Sequence, residues 1–138
     1  MIGADSIIAA ARAYLRVPYV HRGRSRRGLD CAGLVLAVAR DLGLPYPQQK
    51  LCYRPWPDLA LLDALLPQFC DPAPAAAPGC ILRLTVAGRP QHLGIAATLR
   101  GEPSVIHVNA AIGRVVEHAV DRRTERRIVA AWQFQGAA

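Results

Sequence analysis

One lysine stands against sixteen arginines, aromatic residues number eight in 138 positions, and no two cysteines are spaced Cys-x-x-Cys. The missing dithiol pair argues against a zinc ribbon or a thioredoxin-like redox site. Four cysteines, at 31, 52, 70 and 80, are too sparse for a disulfide scaffold of this length; free thiols are expected, with a bridge through Cys52 or Cys70 as the exception. The longest uncharged apolar run, 31–39, falls far short of the ~20 residues needed to cross a bilayer. No basic segment followed by an apolar signal core opens the chain, so it reads as a soluble protein without a Sec signal, made in the cytoplasm. The net charge of +7 favours polyanionic or carboxylate-bearing partners, although arginine in place of lysine beside abundant alanine also fits codon composition. With few aromatics and no recognition-helix or zinc-finger pattern, a nucleic-acid partner is not expected. Neither is a cofactor.

What remains fits a single domain over 1–138, large enough to bury a core. Asp5 is placed to cap a helix over 6–15 that Pro18 ends. A polar, arginine-rich loop with Gly23 and Gly28 follows over 17–29. The next segment, 31–42, is apolar on nearly every face and stops at Gly43 and Pro45, so this helix must be internal. After a connector to 57, Asp58 can cap a shorter helix over 59–66 that ends before Pro67. Pro72, Pro74 and Pro78 then mark an extended connector. Beyond Gly79 the periodicity becomes that of strands, over 81–86, 92–98, 105–109, 114–120 and 128–134. Helices first and a meander-like sheet afterwards make an α+β layout, the sheet of about five antiparallel strands covering the buried helix.

Cys31 opens that helix, where backbone amides and the helix dipole favour a thiolate. Asp30 is the expected cap; its charge opposes ionisation, and Arg22, Arg24, Arg26 and Arg27 are close enough in sequence to offset it. Taken alone, a cysteine on an apolar helix is an ordinary packing residue. A nucleophile also needs a base, and strand alternation puts His92, Gly94 and Ala96 on one face, which could receive the helix of Cys31. His107 shares a face with Val105 and Asn109 on the next strand, so pairing would bring the two histidines together, one orienting the other as in a catalytic triad. His118 alternates outward or pairs with a carboxylate, and His21 lies in the basic loop; neither is assigned a step. Zinc is not expected, because sixty-one residues from Cys31 to His92 and fifteen from His92 to His107 match no short ligand pair.

Several strings then align with one family: Tyr14-Leu15 and Val17-Pro18-Tyr19, Gly28-Leu29-Asp30-Cys31-Ala32-Gly33-Leu34-Val35, Pro78-Gly79, Gln91-His92-Leu93-Gly94-Ile95 and the later His107. In these the chain resembles the NlpC/p60 family of papain-like cysteine peptidases, which cleave peptides of bacterial cell walls. The resemblance implies that Cys31 attacks, His92 is general base and acid, and His107 is the third, orienting residue. It also implies that Tyr19 stands beside the cleft and that the Cys31 amide contributes to the oxyanion hole. The substrate class it implies is the peptidoglycan stem peptide, cut between D-γ-glutamate and the diamino acid. Asp30, Arg24 and Arg26 become candidate substrate-binding residues, guanidinium groups being suited to stem-peptide carboxylates. Ala32 stands where the family usually has serine, His21-Arg22-Gly23 replaces its aromatic and paired glycines, and Cys80 replaces a common aspartate.

The strings 23–31 and 113–118 look most like phage tail-associated members. That resemblance implies delivery to the cell wall or periplasm on a tail or tail-like particle, with other tail proteins as partners. The alternative is a structural tail-tip assembly protein whose peptidase fold is idle or used once.

Overall fold

Residues 2–49, 51–54 and 59–138 are described by the computed structural model; the expected cap at Asp58 lies outside them. Helix α1 (Ala4–Arg12) buries Ile7, Ile8 and Ala11, and its N-cap is Gly3. Asp5 is therefore not the cap but a first-turn acid, where its charge meets the positive end of the helix dipole. The helix also ends earlier than Pro18 would require. Tyr14 donates its amide to the Ala11 carbonyl and Val17 to that of Tyr14, tight turns that end the helix well before the proline.

The arginine-rich loop contains a minimal hairpin, β1 (Arg24–Ser25) paired antiparallel with β2 (Gly28–Leu29). Helix α2 (Cys31–Asp41) then runs with every residue from 32 to 39 buried. Fully buried Leu34 and Val35 each contribute about 1.5–3 kcal/mol of burial. Gly43, at φ 69°, supplies the left-handed residue that stops it. Gly33 is required by close approach: a Cβ there would lie 1.9 Å from the Gly23 carbonyl oxygen, so the hairpin loop rests directly on the first turn of α2.

Helix α3 (Leu59–Phe69) continues through Pro67 rather than ending before it. The proline sacrifices one backbone bond, but Leu65, Leu66 and Phe69 are all buried in the core, and packing of that face outweighs the loss. The following stretch is not wholly a connector, since β3 (Cys70–Pro72) pairs with the last strand; Pro72 is tolerated at the end of an edge strand.

The remaining strands are β4 (Ile81–Val86), β5 (Arg89–Leu99), β6 (Glu102–His107), β7 (Val116–Ala119) and β8 (Ile128–Phe134). Together with β3 they form one antiparallel sheet in the order β3-β8-β4-β5-β6-β7. The expected sheet of about five strands thus has six, and its meander covers β4 to β7 only. A short helix, α4 (Arg122–Arg127), leads the chain back so that β8 pairs with β4 on the far side. Its arginine-rich sequence has no apolar periodicity to announce a helix; Asp121 caps it by accepting from the Thr124 amide at 2.8 Å.

Helices α1, α2 and α3 share one cluster with Ile81, Leu93, Ile95, Ala97 and Ile106 on one face of the sheet. Leu82, Leu84, Ala96 and Val105 form a smaller cluster on the other face. This is the α+β arrangement of a buried helix packed on an antiparallel sheet. No helix among the described residues is long and apolar enough to cross a membrane.

Candidate active site

The start of α2 is organised by one carboxylate. Asp30 is nearly buried and accepts from the Gly33 amide at 2.7 Å, closing the first helical turn as expected of an N-cap. It also accepts from the Arg22 amide at 2.8 Å and from Arg24 Nη1 at 3.0 Å. Tyr53, 23 residues away, donates its hydroxyl to the same oxygen, Oδ2, that accepts from the Arg22 amide, while Arg24 Nη2 donates to that hydroxyl at 2.8 Å. Burial and the charge of Asp30 push the Tyr53 phenol well above its ordinary range, so it stays a donor. Arg24 is committed to holding Asp30 in place. Arg26 faces elsewhere, donating to the Ala13 carbonyl at 2.8 Å and lying 5.1 Å from the centre of the Tyr14 ring.

Cys31 is partly buried immediately beyond this cap. Burial, then the Asp30 charge, push the Cys31 thiol up to about 11, outweighing the backbone amides of Leu93 and Ala32, which favour the thiolate. Arg24 opposes that shift less than Asp30 drives it. The expectation that the upstream arginines offset Asp30 is thereby corrected: Arg24 is spent on the carboxylate itself, and Arg26 points away.

Leu93, whose amide favours the thiolate, is the residue after His92. His92 and His107 are both buried, with His92 Nε2 2.8 Å from His107 Nδ1. Burial, then the neighbouring ring, pushes His92 down to about 3, and burial followed by His118 pushes His107 down to about 4. Both rings are neutral at physiological pH. The resting Cys31 and His92 are accordingly an uncharged thiol and imidazole.

The expected route to this meeting needs correction. Leu93, Ile95 and Ala97 face the helices, whereas Ala96 packs with the opposite cluster; α2 does not lie on the face of His92, Gly94 and Ala96. Gly94 is small for a different reason, since a Cβ there would come within 2.7 Å of Val105 and 3.3 Å of the His107 Cβ. His92 lies two residues beyond the last β5–β6 pair, Gly94 with His107, so β6 does not wall it off and its ring borders the space around Cys31.

That space is a cavity of about 260 Å³ lined by Cys31, His92, Tyr19, Asp30, Tyr53, Gln91 and Asn109, among others. Burial, reinforced by Asp30 and Cys31, pushes the Tyr19 hydroxyl up, leaving it protonated beside the thiol as a donor. Leu61, Leu62 and Val86 give the cavity an apolar wall. Arg54 also lines it and makes no hydrogen bond or ion pair among the described residues. Cys31, Tyr19, Asp30 and His92 are thus gathered in one cavity with His107 directly behind; Arg24 serves the cap and Arg26 is absent from it.

Three participants had no sequence signal strong enough to assign them. Tyr53 and Arg54 lie in the proline-rich connector, where composition indicates only a loop. His118 is exposed, as outward alternation implies, and does not pair with a carboxylate; its Nε2 is 2.7 Å from His107 Nε2 and its Nδ1 is 2.9 Å from the Ala119 carbonyl oxygen. Its register opposite Val105, two residues from His107 in β6, was the available clue. No group of three or more His, Cys, Asp or Glu side chains among the described residues is arranged to hold a metal ion.

No family model matches the chain, and no curated protein matches it. Solved structures do. The NlpC/p60 domain of the peptidoglycan hydrolase SagA superposes with a TM-score of 0.62 at 22% identity, covering 93% of this chain and 96% of that one. An NlpC/p60 family protein from Bacillus cereus gives 0.65 at 18% identity over 95% of this chain and 40% of that one. A Staphylococcus aureus protein described as similar to a lipoprotein of the NLP/P60 family gives 0.63 at 19% over 95% and 41%. The chain spans about two fifths of the length of these last two. It has the papain-like fold of NlpC/p60 domains.

Proposed function

We propose that this protein is a cysteine endopeptidase that hydrolyses an amide bond of peptidoglycan stem peptides, with Cys31 as nucleophile, His92 as base and His107 as its orienting partner. The observation that carries the reading is the convergence at Cys31. Its thiol lines one cavity with the His92 imidazole, whose Nε2 is 2.8 Å from His107 Nδ1 on a second ring. The fold shared with the NlpC/p60 domain of a peptidoglycan hydrolase supports the substrate class.

In this reading the thiol proton passes to His92 as sulfur attacks the carbonyl carbon, so the resting pair need not be ionised. The oxyanion is met by the Cys31 amide and the Tyr19 hydroxyl. Collapse breaks the carbon–nitrogen bond, His92 gives its proton to the leaving amine, and a thioester remains. Water then attacks the thioester, losing a proton through His92; the carboxylate product leaves and the thiol is restored. The bond between D-γ-glutamate and the diamino acid is the proposed target. Arg54 takes over the carboxylate-binding role expected of Arg24 and Arg26, because its guanidinium is uncommitted.

Delivery on a phage tail or tail-like particle, with tail proteins as partners, belongs to the same proposal and is supported by the strings 23–31 and 113–118. A stem-peptide panel followed by mass spectrometry tests the enzymology. The expected result is one new amino terminus at the diamino acid and loss of at least ~10³-fold in rate for Cys31→Ala. Release undiminished in that variant removes Cys31 from the chemistry. A folded wild type that cleaves no member of the panel favours the tail-tip structural role.

A further inference from the structure

We infer that His118 is a positioning residue for the base, passing the acceptor-only character of one backbone carbonyl along three imidazoles and thereby deciding which nitrogen of His92 carries the proton. The inference rests on the peptidase reading for its consequence and on hydrogen-bond chemistry for its content.

A carbonyl oxygen can only accept. The 2.9 Å contact between His118 Nδ1 and the Ala119 carbonyl therefore requires the proton on Nδ1, and a neutral ring then offers Nε2 as acceptor. His107 Nε2, 2.7 Å away, must donate to it, which leaves His107 Nδ1 as acceptor. His92 Nε2, 2.8 Å from that atom, must donate in turn. His92 Nδ1 is left with a lone pair, the form that can take a proton from Cys31. The opposite orientation would have every ring protonated on the other nitrogen, with His118 Nδ1 and the Ala119 oxygen two facing acceptors and His92 Nδ1 unable to act as a base. With His118 neutral, one carbonyl excludes that state.

The fold holds His118 where this requires. Its neighbour Glu117 accepts two bonds from Arg12, at 2.8 and 2.9 Å, and one from Ser104 at 2.8 Å. These contacts clamp β7 to α1 and to β6, and they keep the Glu117 carboxylate engaged away from the imidazoles. The two ring pairs meet at 62° and 69° with centroids 5.0 and 4.8 Å apart, edge to face rather than stacked, as bonding through in-plane nitrogens demands. The relay runs from a buried ring to an exposed one, so its outer end can be substituted without opening the core.

Imidazole nitrogen NMR at mildly alkaline pH reads the tautomers directly, and Cys31→Ala protein serves as well as wild type. The expected spectrum has His92 and His107 protonated on Nε2 and His118 on Nδ1. In His118→Ala the dictating acceptor is gone, so His92 should acquire a population protonated on Nδ1 and kcat should fall about tenfold at unchanged KM, a fraction of what a positioned base contributes. His118→Gln, whose amide oxygen can accept from His107, should restore most of both. A wild-type His92 protonated on Nδ1 overturns the inference, as do unchanged tautomers in His118→Ala, whatever happens to kcat. If no stem peptide is cleaved by the wild type, the peptidase reading fails while the tautomer measurement still decides this one.

Discussion

Cys31 has two flanks built on opposite principles. On the helix side, a nearly buried carboxylate collects four donors: the Gly33 and Arg22 amides, Arg24 and the Tyr53 hydroxyl. Charge is present there and fully engaged. On the strand side, His92 and His107 are pushed down to about 3 and about 4 by burial and by each next ring in line, so these two buried rings are neutral. Fixed charge is used where a backbone turn must be held, and uncharged, reversible donors stand where the proposed mechanism moves a proton. The two flanks compete at the sulfur, since burial and then Asp30 raise the thiol while the Leu93 amide on the strand side, with that of Ala32, opposes the rise.

Breaking the helix flank should have the largest effect on stability. Asp30→Ala removes the cap and leaves the Arg24 guanidinium without its carboxylate, and a loss of about 3–5 kcal/mol is expected in urea melts. Asp30→Asn retains acceptor capacity and should cost less, but it deletes the charge that raises Cys31. The pH profile for alkylation of the thiol should then shift downward relative to wild type. A profile that does not move would show that burial alone sets the thiol.

The same contrast separates what could be read along the chain from what could not. The strand limits at 81–86 and 128–134 and the cap at Asp30 rest on local patterns, alternation and a side chain three residues from its amide, and the structure has them at those positions. So does the α+β arrangement. Tyr53 and His118 act across distances of 23 and 11 residues, and no periodicity encodes such a contact. The continuation of α3 through Pro67 was hidden because local propensity opposes it and only the tertiary burial of Phe69 reverses the balance. The side of the sheet facing α2 is not legible from residue size, because Gly94 is small to accommodate Val105 and His107, not a helix.

The strand flank has its own signature in the pH dependence of stability. His92 is held near 3, below its ordinary 6.5, so the unfolded chain binds that proton more readily. Stability should be complete above about 6.5 and decline as pH falls toward 3. Cys31 behaves oppositely, because its folded value of about 11 exceeds the ordinary 9.0; its contribution is complete below 9 and lost as pH rises toward 11. Denaturation midpoints should form a plateau between those limits, and His92→Gln should make the acid limb shallower. An acid limb equally steep in that variant would assign it to other groups.

The smallest expected effect sharpens the division most. Tyr53 borders the cavity, yet its hydroxyl is engaged by Asp30 and Arg24, on the flank that holds shape. Tyr53→Phe keeps the ring and deletes those bonds, and about 1–2 kcal/mol should be lost. Because three donors still hold Asp30 and the imidazole chain is untouched, kcat should stay within about twofold, since an unaltered base keeps its contribution to the chemical step. Thermal melts and steady-state kinetics on the same preparation separate the two readouts. A fall in kcat far exceeding the change in stability would move Tyr53 from the flank that holds the turn to the one that handles the proton.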